Sequence, residues 1–160
     1  MLPSDHYVRW YNELFKVLED KGHEHLQNYW KTIAGLQDNI LSKYIERDGL
    51  KGMRDYWEHI RIEENCDMDL NLSDDHLELR MNKCPSLSKN LDNDAGPMGL
   101  YCDHCAGWVN PVIQKHGYFP VYDMISRTKP QCVLRIFKDK KAADEAEKEV
   151  QLLAKPYGDE

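Results

Sequence analysis

The chain has 160 residues, enough for one domain with its own hydrophobic core, and 41% of them are apolar, with nine tyrosines and four tryptophans. Its formal charge of −7 speaks against nucleic acid as a partner, because binding phosphates needs a cationic surface. No apolar run reaches the roughly 18–20 residues that cross a bilayer, so no membrane association is expected.

The opening stretch MLPSDHYVRWYNELF lacks the basic head, apolar middle and small-residue cleavage site of a signal peptide. A cytoplasmic location is therefore expected, where thiols stay reduced. The first helix is expected to start at a Ser4 or Asp5 cap, with Val8, Tyr11, Leu14, Phe15 and Leu18 at helical spacing, and to end near Gly22. A second, over about 24–46, carries a stripe through Leu26, Trp30, Ile33, Leu41 and Tyr44, and is broken at Asp48-Gly49. A third, over about 50–63, carries Met53, Tyr56, Trp57 and Ile60.

The period then changes. Met68, Leu70 and Leu72 alternate with polar residues, as do Leu77, Leu79 and Met81, and Ser73-Asp74-Asp75 lies between them. A period of two around a turn predicts a β-hairpin. Residues 85–97 are polar and read as a long loop. Residues 99–116 read as a helix, with Pro111 kinking it or starting its second half, and Gly117 ending it. Strands over about 118–126 and 131–138, then a charged helix over about 139–154, complete the order. The expected fold is α+β: N-terminal helices, a four-stranded antiparallel sheet in two hairpins with an intervening helix, and a C-terminal helix. A single domain over 1–160 is expected, helical over 1–64 and α+β over 65–160.

The five cysteines, Cys66, Cys84, Cys102, Cys105 and Cys132, are an odd number and read as thiols, ligands or nucleophiles rather than as a disulfide framework. Cys102-x-x-Cys105 would lie at a helix start, on one face, where unpaired N–H groups and the helix dipole lower a thiol pKa. That setting serves metal binding, nucleophilic attack or redox exchange, while buried free thiols are common without any such role. Zinc needs further ligands; no second C-x-x-C is present, so the candidate set is Cys84, Cys102, Cys105 and Cys132, with His104 and His116 as other donors. A thioredoxin-like role is disfavoured, since a polar loop rather than a βαβ strand precedes the pair. For nucleophilic catalysis Cys102 is the first candidate, with His104 or His116 as base. On a helix, however, His104 points about 100° away from its neighbours. His59 and Glu63 read as an ordinary i,i+4 surface contact, His23-Glu24-His25 as surface, and Tyr118, Phe119 and Tyr122 as sheet core.

NKCPSLSK after a strand, then YCDHCAGW, then FPVYDMISRTKPQCVLRIF together resemble the L-2-amino-thiazoline-4-carboxylate hydrolase-like family over about residues 60–138. Related α+β ligand-binding domains, such as 4-vinyl reductase-type sensor modules, also place a cysteine before the last strand. The resemblance implies a small-molecule hydrolase that opens a ring or breaks a C–N or C–S bond of an amino-acid-like or heterocyclic substrate. It places Cys84, Cys102 and Cys132 near the site, with Asp103 or His104 beside the motif; Cys105 departs from the pattern. The alternative is a ligand-binding or sensor module whose cysteines hold zinc without catalysis. A third reading is a structural or partner-binding protein with core cysteines. A small molecule is the expected partner, and a homo-oligomer is left open.

Overall fold

In a computed structural model the chain is described over residues 3–92 and 96–157, the first three of these by backbone alone. The expected Ser4 or Asp5 cap thus falls on side chains outside the described residues, and the backbone of the first helix already runs from Pro3. Three helices come first: α1 (Pro3–Lys21), α2 (His23–Asp48) and α3 (Leu50–Glu63). Between α2 and α3 the chain turns on one residue. Gly49 takes φ +58°, which a side chain disfavours, and its N–H closes α2 on the Ile45 carbonyl at 2.7 Å. Three residues on, a Cβ at Gly52 would stand 1.8 Å from the Tyr44 carbonyl oxygen, so only glycine allows the two helices to fold back this closely.

The alternating segments form β1 (Asp67–Leu72) and β2 (His76–Lys83), and the later pair forms β3 (Phe119–Asp123) and β4 (Cys132–Phe137). Both pairs are antiparallel hairpins, and β4 also pairs with β2, giving one sheet ordered β1-β2-β4-β3. Met68, Leu77, Leu79, Tyr122, Leu134 and Ile136 share a core with residues of α2, α3 and α5 (Asp103–Lys115). The opposite face buries Val121 and Phe137 against Ala143 of α6 (Lys140–Glu147). The fold is thus α+β with helices on the principal face of a four-stranded antiparallel sheet. Tyr122 and Tyr118 lie in or against the main core, and Phe119 against the core on the far face.

Three segments differ from the sequence expectation. The stretch read as a loop after β2 begins with a helix, α4 (Pro85–Leu91), capped by the Cys84 sulfur, which accepts the Leu87 N–H at 3.4 Å, with Pro85 in the first turn. Helix α5 starts at Asp103 rather than near 99, with Cys102 as its N-cap residue, and runs unbroken through Pro111. Proline has no N–H to offer the carbonyl four residues back. That carbonyl, of Gly107, is instead satisfied by the Tyr157 hydroxyl at 2.6 Å. Helix α6 stops at Glu147, because the following chain is drawn to the sheet. There the buried Asp123 carboxylate accepts the N–H groups of Ile125, Gln151 and Leu152 at 2.9–3.2 Å. Among the described residues no helix is long and apolar enough to cross a membrane.

A cysteine-lined candidate site

Strand geometry puts two thiols at one end of the sheet. Cys84 follows the last residue of β2 and donates its N–H to the Pro130 carbonyl, while Cys132 opens the neighbouring β4 opposite Met81. The first turn of α5 lies over that end and brings Cys102 and Cys105. The four cysteines line one cavity of about 30 Å3, with Tyr101 and Tyr122 among the other walls. That volume corresponds to about one water molecule. Cys66 is buried away from this cavity.

His104 is buried and held on three sides by aromatic rings: Trp108 at 4.5 Å, Tyr101 at 4.7 Å and Phe15 at 5.5 Å between centroids. Its Nδ1 contacts the Tyr101 carbonyl oxygen, an acceptor only, so Nδ1 carries the proton. Nε2 is then the free base, and it faces Cys105 Sγ at 3.4 Å. The thiol donates to the imidazole. Adjacent residues meet here because the ring swings back to Tyr101 across the first helical turn, and this contact was not readable from sequence spacing.

Burial sets the ionisation of the site. It pushes His104 down to about 4, so the imidazole is neutral. It pushes the Cys84 and Cys105 thiols up to about 11 and Cys102 to about 12, and it raises Cys132 further. Burial thus raises these thiols, opposite to the lowering expected from a helix terminus. The charge of Arg127 pulls Cys102 down only weakly, and a hydrogen bond from Tyr122 does the same for Cys105. The Tyr122 hydroxyl also lies 3.8 Å from Cys132 Sγ.

Asp103, at the start of α5, is 3% exposed and makes a two-pronged ion pair with Arg127, which also donates to the Gly99 carbonyl at 3.3 Å. This pair ties the β3–β4 connection to the helix start. His116 is not at the site. It caps the other end of α5, roughly 21 Å along the helix from Cys102 at 1.5 Å per residue. Its Nε2 meets the buried Ser42 Oγ at 2.6 Å, in a polar group with Asp38 and Lys115. Of the three candidate catalytic residues, Cys102 and His104 therefore share a cavity and His116 does not. His59 and Glu63 form an exposed i,i+4 contact at 3.2 Å.

A second cavity, of about 170 Å3, opens on the other side of the same residues: His104, Cys105, Tyr122 and Cys132 wall both. Its remaining lining is apolar, from α3, α5 and the sheet. Among the described residues no three or more His, Cys, Asp or Glu side chains are placed to hold a metal ion. The cysteines are the right donors for zinc, and without a metal burial keeps them protonated.

Fold and site together define an α+β protein with a buried thiol–imidazole pair between two cavities. No family model, no curated protein and no solved structure matches the chain.

Proposed function

We propose that this protein is a small-molecule hydrolase acting on a C–N or C–S bond, with Cys105 as nucleophile and His104 as its base. The observation that carries this reading is the 3.4 Å contact between Cys105 Sγ and His104 Nε2, with Nδ1 fixed on the Tyr101 carbonyl. Nucleophile, base and orienting group stand in the order that covalent catalysis requires. Because both partners are neutral at rest, the thiol proton passes to Nε2 as sulfur attacks the electrophilic carbon. The leaving nitrogen or sulfur then takes that proton. A water attacks the thio-linked intermediate, giving a proton to His104, which returns it to the departing Cys105 sulfur. Burial in a low-dielectric site favours this concerted transfer over a standing thiolate. Cys102 becomes a wall of the water-sized cavity rather than the nucleophile.

Peptide mapping after iodoacetamide treatment at pH 8 tests the assignment. Cys105 should alkylate faster than Cys84, Cys102 and Cys132, and that advantage should vanish in His104→Asn. Equal rates at all four, or Cys102 reacting first, would overturn it.

A second reading rests on the convergence of four cysteines from β2, α5 and β4 on one cavity: a ligand-binding module with cysteine-held zinc. Binding would have to displace four thiol protons and draw the sulfurs together. Metal analysis of purified protein checks it. One zinc per chain, lost in Cys102→Ala, would replace the hydrolase reading.

A further inference from the structure

We propose that the 170 Å3 cavity is the substrate pocket and that it takes an uncharged, single-ring-sized apolar group, with the bond to be broken at the Cys105 end. The placement of that bond rests on the hydrolase reading; occupancy of the pocket by a ring does not.

Size argues first. An apolar protein cavity of about 150 Å3 accepts benzene, so a space of about 170 Å3 has room for one aromatic or heterocyclic ring and little more. Shape follows from the elements. Trp57 and Ile60 of α3, Trp108 and Val109 of α5, and Leu79 and Leu134 of the sheet line it, so three elements enclose the space. Met68 and Met81 complete the lining with side chains that adapt to an irregular outline.

Charge argues next. Among the described residues that line the cavity there is no Lys, Arg, Asp or Glu. The titratable groups that do line it, His104, Cys105, Tyr122 and Cys132, are all kept uncharged by burial, which lowers the imidazole and raises the other three. A carboxylate or ammonium entering here would lose its hydration with no counter-charge to replace it. An amino-acid-like substrate, expected from the sequence resemblance, would bring both charges into this lining. A neutral ring brings neither. Apart from the two indole N–H groups, the polar side chains are His104, Cys105, Tyr122 and Cys132, the four that line both this cavity and the water-sized one. A ring seated in the apolar part would present its substituent, and not its face, to the thiol. Water would reach the same carbon from the smaller cavity.

Three probes of one shape separate the possibilities: toluene, benzoate and benzylamine, each titrated at pH 7.5 by calorimetry and by thermal melting. Toluene should bind and raise the melting temperature, the shift growing with the logarithm of its concentration above the Kd. The two charged analogues should bind at least tenfold more weakly. Val109→Phe, which fills the pocket from α5, should abolish toluene binding, and Ile60→Phe from α3 should do the same if the first variant folds poorly. Bound toluene should also slow alkylation of Cys105 at least tenfold. Failure of toluene to bind, equal binding of the charged probes, or binding untouched by both variants would overturn the pocket assignment. Binding that leaves Cys105 unprotected would overturn the placement of the reacting bond. Uniform alkylation of the four cysteines, by contrast, would sink the thiol mechanism while leaving the ring pocket standing.

Discussion

His104 sits where three aromatic rings and a helix start exclude water, and its neutrality is a consequence of that enclosure. Its pKa falls from 6.5 to about 4 on folding. Between those values the unfolded chain takes up a proton that the folded chain refuses, so stability is lost as pH falls from about 6.5 towards about 4. A difference of about 2.5 units corresponds to about 3 kcal/mol at most. Urea unfolding of the wild type should therefore weaken across this range, and His104→Asn, which keeps a donor for the Tyr101 carbonyl but cannot titrate, should show a flatter profile. A profile equally steep in both proteins would mean that another group carries the effect. Asp103 is enclosed at the other side of the same helical turn, and its charge is matched by Arg127. Arg127→Ala leaves that carboxylate buried and unpaired, which costs about 3 kcal/mol in comparable settings. Pairing the change with Asp103→Asn should recover most of the loss in a double-mutant cycle read by denaturant unfolding.

At the scale of elements, α5 carries the site on its first turn and a proline in its middle, and remains one helix because Tyr157 donates to the carbonyl that Pro111 frees. Tyr157→Phe removes that hydrogen bond without changing the ring's bulk, and should lower stability by about 1 kcal/mol, measured by chemical denaturation. The same helix marks how far the sequence could be read. The hairpins were legible because Met68, Leu70 and Leu72, and Leu77, Leu79 and Met81, alternate with a period that only strands share. Helices α1 to α3 were legible through their apolar stripes and through Gly22 and Gly49 between them. Helix α4 was hidden: PSLSKNL offers a single i,i+4 apolar pair, Leu87 and Leu91, in two turns, and its cap is a cysteine sulfur rather than one of the usual capping oxygens. The meeting of Cys84 with Cys132 depends on β2 pairing with β4, a choice of sheet order that neither hairpin dictates. The Cys105–His104 contact was beyond sequence reasoning. Helical spacing sends the two Cβ atoms apart, and only the ring's reach back to Tyr101 turns Nε2 over the sulfur.

For the whole molecule, burial holds all five cysteines as neutral thiols when no metal is bound, and this ties global stability to alkaline pH. Their ordinary pKa is 9.0; burial lifts Cys66, Cys84 and Cys105 to about 11, Cys102 to about 12, and Cys132 higher still. Below about pH 9 both folded and unfolded chains hold these protons, and stability is fully present. Above it the unfolded chain releases them while the folded chain keeps them, so stability falls until the folded pKa values are passed. Each thiol contributes about 1.4 kcal/mol per pH unit in that window, and five acting together contribute about 7 kcal/mol per unit. A domain of ordinary stability, about 5–15 kcal/mol, cannot withstand that slope for more than one or two units. Circular dichroism should show cooperative unfolding between about pH 9.5 and 11. Cys102→Ala should lower the slope of unfolding free energy against pH by about 1.4 kcal/mol per unit, because one proton is removed from a balance to which the buried Tyr101 and Tyr122 hydroxyls also contribute. Zinc held by Cys84, Cys102, Cys105 and Cys132 would reverse the expectation. Those sulfurs would already be thiolates in the folded protein, and stability would then fall on acidification instead. A chain that keeps its fold beyond pH 11, or whose unfolding is unaltered by Cys102→Ala, would show that these thiols are not held neutral by the surrounding core.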